Sequence, residues 1–73
     1  MEAHGRQLSA ELEPLRDADA ARVLGVSPAT LPAWRCRGQG PRYLKIGGRV
    51  VYLLPDLLAW RDAQAVDPRA AVR

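Results

Sequence analysis

One cysteine and one histidine in 73 residues remove two of the usual ways of holding so short a chain together. Cys36 has no partner for an internal disulfide, and with His4 it falls short of the four ligands of a structural zinc site, so packing alone must carry the fold. No apolar run approaches the roughly 20 residues of a membrane span. The polar, acidic N-terminus lacks the basic start and apolar middle of a signal peptide, so a cytoplasmic location is expected and no membrane partner. Catalytic equipment is missing as well. No paired carboxylates fall in a pocket-forming segment, the cysteine has no histidine within the domain, and no glycine-rich phosphate loop precedes a helix. An enzyme is therefore not expected, and no cofactor is called for. At 8.0 kDa the chain has room for one small domain with a modest core.

Acidic residues are absent from one long stretch. Residues 27–55 hold Arg35, Arg37, Arg42, Lys45 and Arg49 and no Asp or Glu, whereas residues 1–26 carry five acids against three bases and residues 56–73 balance three against three. A formal net charge of +3 says little, but a +5 block between acidic and neutral flanks is an electrostatic footprint for a polyanion such as DNA. A merely solvated basic face is the plainer alternative.

The segment Leu15–Arg37 reads as two short helices joined by a tight turn. The first is expected over about Asp17–Leu24, with Asp17 and Asp19 at the positive end of its dipole and Ala20, Val23 and Leu24 as its buried stripe. Leu24 closes that face, Gly25 can end the helix in the left-handed conformation, and Val26 can fold back over the last turn. Ser27 is positioned to cap the next helix and Pro28 to begin it, so the second helix is expected over about Pro28–Arg37. A stop and a start three residues apart are what a helix-turn-helix requires. On a wheel of about 100° per residue, Leu31 and Trp34 define the buried side, with Trp34 expected in the core rather than stacked on a base. Ala29, Pro32, Ala33 and Cys36 then face outward, with Arg35 and Arg37 on the flanks. Pro32 lacks an amide that would otherwise bond four residues back; a later helix start would bring it into the first turn and lower the cost.

Gly38-Gln39-Gly40-Pro41 is turn chemistry leading into two β-forming runs, Arg42–Ile46 and Arg49–Leu53, separated by Gly47-Gly48. Two glycines between such runs suit a two-residue hairpin turn, with Lys45 and Arg49 flanking its tip. Those charges either follow the DNA backbone or minor groove, or protect an exposed strand edge. A third helix is expected to start near Pro55 or Asp56 and to close the domain with Leu57 and Trp60. Pro68 should end any helix. The expected organisation is a flexible arm over 1–14, a domain over 15–62 and a tail over 63–73. The fold class is mainly α with a small β-hairpin: a winged helix-turn-helix of three short helices plus wing.

Leu15, Ala20, Ala21, Leu24–Ser27, Thr30, Leu31, Trp34, Arg35, Gly38, Gly40, Pro41, Tyr43, Lys45–Val50, Tyr52, Asp56, Leu57 and Trp60 follow one another at spacings that carry a resemblance. Over 15–61 the chain resembles the small winged helix-turn-helix proteins related to phage excisionases and AlpA-like regulators, within the MerR-like superfamily. The resemblance implies a DNA-binding module. It also exposes two departures, since such relatives usually place Ser or Thr where Arg16 stands and Glu where Asp19 stands, forming a capping box. They also commonly carry polar or arginine side chains where Ala29, Pro32, Ala33 and Cys36 stand here.

The candidate DNA-binding residues are Ser27, Ala29, Thr30, Ala33, Arg35, Arg37, Arg42, Lys45 and Arg49. The leading expectation is an excisionase-like accessory protein, a recombination directionality factor that binds double-stranded DNA cooperatively, self-associates along it and directs an integrase. An AlpA-like transcription regulator is the alternative. A protein-interaction module that kept the fold and lost sequence readout, using the apolar outward face as its contact patch, is a third.

Overall fold

The computed structural model describes residues 13–71, so the expected N-terminal arm lies outside the described residues except for Glu13 and Pro14. The elements run α1 (Asp17–Leu24), α2 (Thr30–Cys36), β1 (Leu44–Ile46), β2 (Arg49–Val51), α3 (Leu54–Ala63) and the single turn α4 (Pro68–Ala71). Three helices plus an antiparallel hairpin make up the expected winged helix-turn-helix.

α1 begins at Asp17 after Arg16, which makes no side-chain cap, in keeping with the missing capping box. It ends at Gly25 with φ 76°, where the amides of Gly25 and Val26 both donate to the Ala21 carbonyl at 2.8 and 3.0 Å. Those two bonds share one carbonyl of the last turn and turn the chain toward α2. Arg61 of α3 donates to the Val23 carbonyl at 3.1 Å, tying the same helix end to the closing helix.

α2 starts later than its sequence suggests. The amides of Thr30 and Leu31 reach back three residues, to Ser27 at 3.0 Å and Pro28 at 3.3 Å, so residues 27–29 form a tighter turn and Ala29 is the cap. Ser27 does not cap an amide; its Oγ lies 3.2 Å from Thr30 Oγ1. Pro32 supplies the reason. Without an N–H it cannot bond the Pro28 carbonyl, which Leu31 takes instead, and α geometry begins at Thr30 with Pro32 in the first turn.

The hairpin register pairs Leu44 with Val51, Lys45 with Val50 and Ile46 with Arg49. Gly47 and Gly48, at φ 57° and 81°, form the two-residue connection. Directly opposed residues share a face, so Lys45 and Arg49 project from opposite faces of the ribbon. The residues flanking the tip are Ile46 and Arg49; Lys45 sits one pair further back, a correction to the simpler placement. Beyond the strands, Leu15 and Tyr52 exchange both backbone hydrogen bonds, at 2.7 and 2.8 Å, stitching the entry to α1 onto the end of β2.

Ala20, Ala21, Leu31, Tyr52 and Leu57 form the buried centre, with Leu15, Val23, Leu24, Val26, Trp34 and Val50 packed partly against it. Two alanines in α1 let α2 and α3 approach closely. Trp34 and Trp60 meet with ring centroids 5.2 Å apart, within the range of favourable tilted aromatic pairs, and seal the α2–α3 side. Gly40 passes directly over Trp34 at φ 91°, and an added Cβ would lie only 3.0–3.1 Å from it. Pro68 does not end a helix; it starts α4, with Asp67 Oδ1 accepting the Arg69 amide at 3.0 Å. Proline suits a first helical position because its missing amide has no partner there.

Candidate nucleic-acid interface

α2 presents one side to the core and the other to solvent. Leu31 is fully buried and Trp34 half-buried, whereas Ala29, Pro32, Ala33 and Cys36 are all exposed. From Leu31, the wheel places Ala29, Cys36, Ala33 and Pro32 between about 100° and 200°, with Thr30 and Arg37 along the next edge. The outward face thus has no side chain able to make a bidentate contact to a base, and Thr30 and Arg37 are its polar margin.

Arg35 belongs to the fold's interior side. Its guanidinium makes a two-pronged ion pair with Asp17, Nη1 to Oδ1 at 2.9 Å and Nη2 to Oδ2 at 3.2 Å, and Nη1 also donates to the Tyr52 hydroxyl at 2.8 Å. The rings of Tyr43 and Tyr52 lie 5.7 and 5.9 Å from its central carbon. Its side chain is 18% exposed. The hydrogen bonds it donates to Asp17 hold the guanidinium more firmly charged than usual, a smaller opposing push coming from burial and further support from Tyr52. One residue therefore joins α1, α2 and the end of β2. Four positions past Leu31, it stands only about 40° from the core side on the wheel, the signal that would have marked it as inward. Asp17 and Tyr52, its partners, drew no such attention in the sequence because they lie 18 and 17 residues away.

The other bases are at the surface. Arg37, Lys45 and Arg49 are exposed, and Arg42 makes an exposed pair with Asp56 at 2.9 Å near the start of α3. Such pairs are held weakly enough for a phosphate to compete. Beside the wing, a groove of about 440 Å³ is lined by the start of α1 (Arg16, Asp17, Ala18), by Arg35 and by Gly48, Arg49 and Val50. Arg16, not among the expected site residues, thus lines the same concave surface as Arg49, at the positive end of α1. Its appearance there depends on the Leu15–Tyr52 stitch, which no local pattern announces. Among the described residues there is no cluster of groups able to hold a metal ion, and no helix long and apolar enough to cross a membrane.

The model of a family described as "Helix-turn-helix domain" matches residues 15–65, more than half of the chain. That span takes in α1, α2, the hairpin and all of α3. Neither a curated protein nor a solved structure matches.

Proposed function

The chain belongs to the helix-turn-helix domain family of small DNA-binding modules, and from that premise we propose that it is a backbone-led accessory DNA-binding protein of the excisionase kind. The observation that supports this most is the composition of its exposed surface. The outward face of α2 carries nothing that reads bases by paired hydrogen bonds, while Arg37, Arg42, Lys45 and Arg49 stand exposed in a stretch free of acids. Binding then draws its strength from phosphates, and one domain discriminates poorly. Useful selectivity comes from DNA shape and from several copies side by side, since adjacent contacts raise avidity without new readout. An array that reshapes a recombination site and steers an integrase is the task such a molecule suits. It works in the cytoplasm, where its DNA is.

Phosphate contacts release counterions, so log K falls against log salt by about 0.9 per phosphate neutralised. With three to five contacts from the exposed bases and Arg16, titration of a labelled duplex over several salt concentrations should return a slope of roughly −3 to −4.5. A flat response would remove the proposal. An integrase whose excision is unaltered by the protein would retain DNA binding and transfer the role to transcription control.

A further inference from the structure

We propose that the groove beside the wing holds a single backbone phosphate of DNA, clasped between Arg16 at the entry to α1 and Arg49 of β2. This rests on the DNA-binding reading above and names where the strand is gripped. Arg16, Arg35 and Arg49 line the groove, and Asp17 is the one carboxylate among its lining residues. Both oxygens of Asp17 accept from Arg35, at 2.9 and 3.2 Å, so those two charges offset each other within the fold. Arg16 and Arg49 are exposed and have no ion-pair partner among the described residues. Two uncompensated guanidiniums on one concave surface concentrate positive potential there, and each offers a fork of donors that matches phosphate oxygens.

The lining selects a phosphodiester. A groove of about 440 Å³ has room for a phosphate and its flanking sugars. Ala18, Gly48 and Val50 complete the lining without an aromatic ring, so a base finds no face to stack on, and a free nucleotide would be held by its phosphate alone. The start of α1 is also where a strand would run, because in helix-turn-helix docking the first helix crosses the backbone while the second enters the major groove. Arg16 makes no side-chain cap to α1, which leaves its guanidinium uncommitted to the helix it precedes.

The test is a double-variant cycle on the full chain with a labelled duplex, in which Arg16→Ser, Arg49→Ala and the double variant are titrated over several salt concentrations. When both arginines clasp one phosphate, losing either releases it. Each single variant should therefore lose about one unit of salt slope, and the double variant about one as well rather than two. Arg16→Ser also supplies a capping side chain, so its melting temperature should rise by about 4–8 °C while its DNA affinity falls. A fall in both would assign the weaker binding to folding and overturn the proposal. A loss of about two units in the double variant would put the arginines on separate phosphates, and an unchanged slope in Arg16→Ser would remove it from the interface; either result overturns the shared site and leaves DNA binding standing. Absence of wild-type binding at low salt would overturn both readings. Inorganic phosphate at constant ionic strength provides the second arm: if it stabilises the wild type but not the double variant, while the DNA slopes of all forms coincide, the groove serves a free phosphorylated ligand and the proposal falls.

Discussion

Arg35 shows how much of this small fold depends on single side chains. Its guanidinium satisfies both oxygens of Asp17 and the hydroxyl of Tyr52, which is only 1% exposed. Removing one member of a fully buried pair costs about 3–5 kcal/mol, and the partial exposure of Asp17 reduces the expected loss for Arg35→Met to about 2 kcal/mol. Urea unfolding of Arg35→Met, Asp17→Asn and the double variant should give non-additive effects, with a coupling of about 1 kcal/mol. Strict additivity would mean that the two groups are separately solvated. Gly40 acts by space as well as by conformation. Gly40→Ala meets Trp34 at 3.0–3.1 Å in addition to the strain of φ 91°, whereas Gly38→Ala carries strain at φ 68° with nothing within 4 Å. A loss of about 2 kcal/mol at position 40 and about 1 kcal/mol at position 38 is expected from thermal melts.

At the scale of elements, the wing is asymmetric. Arg49 is beside the tip and lines the groove with Arg16, while Lys45 projects from the opposite face of the ribbon, one pair back. Arg49→Ala should therefore weaken binding to any duplex and reduce the salt slope by about one unit. Lys45→Ala should do less. Equal effects in salt titrations would show that the ribbon meets DNA edge-on, using both faces. α2 has its own asymmetry, because Pro32 sets where it begins. A tighter turn at 27–29 keeps Pro32 out of the helix interior, where it would cost about 3 kcal/mol.

For the whole molecule, three features bear on the proposed binding: the exposed bases of residues 37–49, an outward face of α2 whose centre has no polar side chain, and Arg35 withdrawn into the ion pair with Asp17. One protomer has few ways to prefer one sequence. On a natural site the protein is expected to bind in steps, each step adding a protomer, and to show cooperativity in gel-shift titrations. A single selective 1:1 complex at physiological salt would instead mean that a few contacts suffice, with Thr30 and Arg37 as the polar readers.

The helix-turn-helix was legible from residue types alone because its signals are local: an apolar stripe, Gly25 as a stop and a proline near the next start. The two-glycine hairpin and the closing helix with Leu57 and Trp60 were legible for the same reason, as was the exposure of Ala29, Pro32, Ala33 and Cys36, since a helix has only one side to give the core. Local signals misplaced the start of α2, where Ser27 and Pro28 promised a cap that Pro32 prevents. They also gave Pro68 as a stop where it serves as a start. Arg35 as an internal tie, Arg16 in the same groove as Arg49, and Lys45 and Arg49 on opposite faces follow from contacts between distant segments or from strand register. Sequence periodicity reports which side of an element is apolar. Which distant carboxylate or hydroxyl a guanidinium finds there is decided only when the elements pack.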